Sequence, residues 1–188
     1  MSKASPIRTR GLERPICRPA GASLRSKMEA SSLRTSPSRI TSFSSPMDLR
    51  NTFPRSMRTT VGGYAHLARM IDKCRAVLAG TQGEYIYPCP MDRRLLDFAG
   101  ITSDQFTAAV KSDKSDEGVV AWFREVAKPR SAGELQEWNE ELLARGPSSP
   151  ESAERFKHDR DAVDPSRTDI AAWADLQDLE EGRAVPRR

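Results

Sequence analysis

The sequence predicts an all-α fold, a compact bundle of six to seven short helices. Three observations carry this. Apolar residues return at three- and four-residue steps in one segment after another. Patterns that start helices stand directly in front of those segments, and only Glu84-Tyr85-Ile86-Tyr87 looks extended.

The first helix is expected over residues 62–79, with Tyr64, Leu67, Ile71, Cys74 and Leu78 on one face. Gly80 suits its end, because glycine accepts the left-handed conformation that terminates many helices. After the extended stretch, Pro88-Cys89-Pro90 sets up a short helix over 91–98 that stops at Gly100, with Pro90 in its first turn. Thr102 with Gln105 forms a capping-box pattern before Phe106 and Val110. Ser115 precedes a helix carrying Val119, Val120, Phe123 and Val126, which Pro129 closes. Ser131 with Glu134 repeats the box before Leu135, Trp138 and Leu142, and Gly146-Pro147 stops that helix. Ser149-Pro150-Glu151 opens a more polar helix around Phe156. Thr168 or Asp169 is expected to cap the last one, with Ile170, Trp173 and Leu176 inward. Trp122, Trp138 and Trp173, one per helix, read as core anchors, with Trp138 and Trp173 largely buried.

Charge divides the chain differently. Residues 1–46 hold nine Lys/Arg and two acids, a net of +7, which leaves 21 bases and 24 acids, a net of −3, for the rest. This leader is rich in Ser, Arg and Pro and has no apolar period, so it cannot bury enough surface to offset the entropy of ordering. It reads as disordered: a nucleic-acid-binding arm, a transit peptide, or translated sequence upstream of a true start at Met47. The abrupt onset of structural signals at Met47 favours the last reading. The domain is expected over 47–183, with 184–188 as a tail.

The mild acidity of the domain removes the simplest support for nucleic-acid binding, which needs clustered cations; such contact is left to the leader. The longest apolar run, Val119 to Phe123, is far below the ~20 residues that span a bilayer, so no membrane role is expected. Three cysteines, one of them in the leader, make no disulfide framework and suggest a reducing cytoplasm. His66 and His158 lie far apart, and neither a Cys-x-x-Cys nor a His-x-x-x-His pair exists, so no metal or other cofactor is expected. His66 falls nearly opposite the apolar stripe and reads as a surface or partly buried residue. The glycine pairs form neither a P-loop nor a dinucleotide fingerprint.

Several segments together carry a resemblance. MDLRNTFPRSMRTTVGGYAHLARMIDKCRAVLAGTQGEYIYPCPMDRRLLDFAGI is followed by AWFREVAKPRS, EWNEELLARGP and RTDIAAWADLQDLEEGR. Over about residues 47–183 this resembles a bacterial family of small proteins known only as a domain of unknown function, family 5069. The resemblance implies a bacterial cytoplasmic protein and brings no activity with it.

Two residues stand out as chemistry. Cys89 lies at a helix N-terminus with Arg93 and Arg94 in the following turn, an arrangement that stabilises a thiolate; a small side chain filling a proline-pinned turn is the plainer account. Arg75 falls inside the apolar face of the first helix, where a guanidinium must snorkel out or meet an anion. Glu84, Asp92 or Asp97 would be its structural partner, with Glu84 and Asp92 favoured. Arg75, Glu84, Tyr85, Cys89 and Asp92 therefore form the candidate pocket. Asn139, also on an apolar face, is expected to satisfy a backbone group. The favoured function is a non-catalytic module that binds a small anionic ligand or a protein partner. The alternative is a small enzyme using the Arg75–Cys89 region on an anionic substrate.

Overall fold

A computed structural model describes residues 47–113 and 115–187, and the expected disorder of the 1–46 leader lies outside them. Among the described residues seven helices follow one another: α1 (Leu67–Ala79), α2 (Pro90–Ala99), α3 (Ser103–Ser112), α4 (Asp116–Val126), α5 (Ala132–Ala144), α6 (Pro150–Val163) and α7 (Trp173–Glu180). The fold is all-α. The stretch at 84–87 forms no strand, and a single bridge between Val61 and Tyr64 is the nearest approach to a sheet among the described residues.

The caps account for most of the boundaries. Thr102 accepts from the Gln105 N–H and Ser131 from the Glu134 N–H, and each partner side chain reaches back to complete the box. Ser115 accepts from the Gly118 N–H at 3.0 Å. Gly80 and Gly100 close α1 and α2 in the left-handed conformation. Helix α7 departs from expectation: it starts at Trp173 behind Ala172, with no side-chain cap, while Asp169 pairs with Arg167 at 2.9 Å.

Helix α1 also starts later than its periodicity suggests. Residues 62–66 turn instead of coiling, because His66 takes a left-handed φ of 66°, which a helix cannot continue through. Asn139 of α5 holds this turn. Its Oδ1 accepts from the Ala65 N–H and its Nδ2 donates to the Gly63 carbonyl, both at 2.8 Å, as the sequence led us to expect.

Two apolar clusters share α2. Leu67, Met70, Ile71 and Cys74 pack with Leu95, Phe106, Val110, Val119 and Phe123, where Tyr64 meets Phe123 edge-on at 5.0 Å. The second cluster joins Met57, Ala65, Cys89 and Met91 to Leu142, Phe156, Ile170, Trp173 and Leu176 of the C-terminal helices. Gly146 permits the turn between α5 and α6, because a Cβ there would stand 2.6 Å from the Ala171 carbonyl oxygen. Trp173 is buried against Phe156, whereas Trp122 and Trp138 are only half-buried, Trp138 stacking on Phe98 at 4.6 Å. Leu78 and Val126, placed on apolar faces by periodicity, are 45% exposed because each stands at the end of its helix.

Candidate functional site

Helix α1 is buried on both faces. Opposite the Leu67/Ile71/Cys74 stripe, His66, Arg69 and Lys73 stand one above another at helical spacing, and all three are buried. Such a row normally faces water. Here the first turn of α2 meets it, because Pro90 starts that helix and carries Asp92 inward at its third position. Asp92 accepts from His66 Nε2 at 2.8 Å, from Lys73 Nζ at 2.7 Å and from the Cys89 N–H at 2.7 Å.

Burial alone would raise the Asp92 carboxyl, but the Lys73 charge and the His66 hydrogen bond overcome it and hold it at about 2. Burial pulls the Lys73 ammonium below its ordinary value, and Asp92 opposes that. Burial likewise pushes His66 down, which keeps the imidazole neutral at pH 7. With Nε2–H donating to Asp92, the His66 Nδ1 is a buried acceptor with no partner among the described residues.

One turn along, Arg69 lies 5.5 Å over the Tyr85 ring and pairs with Glu181, whose Oε1 is 2.6 Å from Nη2. The Tyr85 hydroxyl donates to the same oxygen at 2.8 Å. Arg69 also donates to the Arg55 carbonyl at 3.0 Å, so the chain before α1 is fastened between α1 and the end of α7. Arg183 reinforces this through Pro54, Asp178 and Glu181. Burial acts against the charge of both Arg69 and Glu181, yet their mutual attraction leaves the guanidinium raised and the carboxyl lowered.

The five candidate residues thus divide among separate places. Cys89 and Asp92 come together, with the Cys89 Sγ 3.2 Å from Lys73 Nζ. Tyr85 belongs to the Arg69–Glu181 pair, and Glu84 is exposed. Arg75 is paired as anticipated but with a different acid: its Nη1 donates to Asp116 of α4 at 2.5 Å, and Arg55 holds the other Asp116 oxygen. Neither Glu84 nor Asp92 is its partner, because α3 and α4 fold back over α1 and bring Asp116 closer. The reading of His66 as a surface or partly buried residue is also corrected, since it is wholly buried.

His66, Cys89 and Asp92 present ligand atoms within 4.8 Å of one another, a grouping that 26 residues of sequence separation concealed. Their arrangement fits an ammonium better than a metal, since Lys73 Nζ already stands between the sulfur and the carboxylate.

The openings on the surface lie elsewhere. Two adjoining clefts share Arg94 of α2 and Arg145 at the end of α5. The larger, ≈ 150 Å³, is lined also by Asp97, Trp138, Glu141 and Leu142. The smaller, ≈ 90 Å³, runs from Pro90 and Met91 past Ser148 and Ser152 to Trp173 and Gln177, with no acid in its wall among the described residues. Arg145 pairs with exposed Glu141 at 3.3 Å, while Arg94 is exposed and makes no ion pair among the described residues. Sequence placed Arg94 beside Cys89; nothing in it signalled that Arg145 would stand opposite.

Fold and site together define a small all-α domain built around a charged helix that is buried along most of its length, with a basic cleft on its outer side. The chain belongs to the family described as a domain of unknown function (DUF5069), whose model matches residues 51–183. No curated protein matches it. No helix among the described residues is long and apolar enough to cross a membrane.

Proposed function

We propose that this domain is a non-catalytic binding module that takes a small anionic ligand on the face formed by α2, α5, α6 and α7. The observation that carries this reading is the pair of clefts sharing Arg94 and Arg145. The remaining unusual chemistry is consumed internally. His66, Arg69, Lys73, Asp92 and Glu181 are buried and bonded to one another, which suits a scaffold better than a reacting centre. The enzyme reading needs Arg75 and Cys89 in one site, and they serve separate networks. On this reading the protein works in a bacterial cytoplasm.

The test is native mass spectrometry of the full chain after incubation with a mixture of small carboxylates and phosphates. An unaltered small molecule retained at one per chain is the expected result. Conversion of a component into a product of different mass would overturn the module in favour of the enzyme.

A further inference from the structure

The two clefts form one groove whose charge is graded along its length. Met91, Arg94 and Asp97 follow one another on α2, while Trp138, Glu141 and Arg145 line the facing wall in the reverse order. At one end the smaller cleft holds Arg94 and Arg145 beside Ser148 and Ser152, with no acid among the described residues. Toward the other end the larger cleft keeps the same two arginines and adds Asp97, Glu141 and Trp138. Neither Arg94 nor Asp97 makes an ion pair among the described residues, although they stand one turn apart and both are exposed. Asp97 lies in the last turn of α2, where the helix dipole disfavours a carboxylate and favours a cation. Glu141 is bound only loosely: its side chain is 72% exposed and its pair with Arg145 spans 3.3 Å. Surface pairs of this kind contribute little, so a ligand can take over either partner. Two carboxylates and an indole make a set that attracts an ammonium, the acids by charge and the ring by its negative face.

We propose that the anion taken by this groove carries an ammonium at its far end. Arg94 and Arg145 hold the oxyanion, and Asp97 and Glu141 hold the ammonium beside Trp138. An anion without a cationic end would lay its uncharged part along two carboxylates and gain nothing from them. The helical rise from Arg94 to Asp97 is about 4.5 Å, so the two charges of the ligand stand about 4–6 Å apart. Clefts of ≈ 90 and ≈ 150 Å³ leave room for a short chain between them. This inference rests on the binding-module reading and adds the class of ligand.

The experiment is calorimetric titration of the full chain at equal ionic strength with two pairs of probes, γ-aminobutyrate with pentanoate and phosphoethanolamine with propyl phosphate. Within each pair a methyl group replaces the ammonium. The ammonium member should bind at least about fivefold more tightly, the scale of one or two exposed ion pairs. The pair that binds more tightly distinguishes a carboxylate from a phosphate as the anionic end. Asp97→Asn combined with Glu141→Gln removes the cation site and leaves both arginines; the two acids are exposed, so the double variant should keep the parent's urea midpoint. It should bring each ratio close to one, while the methyl probes bind as well or better because Arg145 loses a competing carboxylate. Arg94→Gln should weaken all four probes. A parent ratio near one, a ratio that survives the double variant, binding indifferent to Arg94→Gln, or no binding of any probe would overturn the proposal. Pentanoate or propyl phosphate bound as tightly as its ammonium partner would remove only this inference, whereas chemical conversion seen by native mass spectrometry would remove the module itself.

Discussion

Asp92→Asn removes the one negative charge that Lys73 and His66 share. Among the described residues Lys73 has no second acid within bonding distance, its other contacts being the Cys89 sulfur and the Ile86 carbonyl at 3.4 Å. Breaking a buried pair in this way costs about 3–5 kcal/mol, mostly because the surviving charge is stranded. Lysine has an escape that sets a ceiling, for it can shed its proton. From an ordinary value of 10.5, deprotonation at pH 7 costs about 5 kcal/mol, and at pH 8.5 about 3. The sign follows from linkage. In the variant the folded Lys73 is neutral and the unfolded one protonated, so folding releases a proton and stability rises with pH, by up to about 1.4 kcal/mol per unit. Urea unfolding of parent and variant at pH 7 and 8.5 measures this directly. The variant should be about 3–5 kcal/mol less stable at pH 7, and the gap should narrow at pH 8.5. A loss below about 1 kcal/mol that does not vary with pH would refute the buried ammonium.

Glu181→Gln should cost a similar ~3–5 kcal/mol but without relief at pH 8.5, because the Arg69 guanidinium cannot neutralise; the same urea series separates the two behaviours. Arg75→Met should change stability by only about 0–1 kcal/mol in urea unfolding, since its pair with Asp116 is partly exposed and Arg55 still holds that carboxylate. Trp173→Ala should cost ~3–5 kcal/mol and Trp138→Ala clearly less, read from the shift in denaturation midpoint. Acid should unfold the domain: the Asp92 carboxyl, ordinarily 3.8, sits at about 2, so its contribution is complete above about 4 and is lost as pH falls toward 2, which circular dichroism would follow.

Helix number and most boundaries were legible because they depend on local chemistry. Thr102 and Gln105, or Ser131 and Glu134, lie three residues apart and cap the same helix they announce. Even Asn139 could be assigned a backbone partner from its place on an apolar face, although its targets at Gly63 and Ala65 could not be named. Where local signals failed, a distant contact had won. His66 breaks the first helix early while bonded to a carboxylate 26 residues away, and α7 begins uncapped with its first N–H donating to the Arg145 carbonyl at 2.9 Å.

The same reasoning explains why Arg75 attracted notice and Lys73 did not. A cation on an apolar stripe breaks a visible rule, whereas His66, Arg69 and Lys73 opposite the stripe obey the amphipathic pattern and look solvated. The pattern holds only if one face of the helix meets water. Here the preceding segment, the start of α2 and the end of α7 cover that face, and each brings groups that a charged row requires: carbonyls at 54 and 55, Asp92, and Glu181. Three segments far apart in sequence are thereby fixed on one helix by bonds that tolerate no slippage, because a shift of one residue strands a charge. We read the charged row as the device that registers these segments, and through them the Arg94–Arg145 cleft, since Asp92 and Arg94 share the first turns of α2. On this account Asp92→Asn should weaken small-anion binding in the variant that still folds at pH 8.5, although Asp92 lies outside the cleft. Unchanged retention of the anion there, measured by native mass spectrometry, would separate the two features and leave the buried row with a purely structural role.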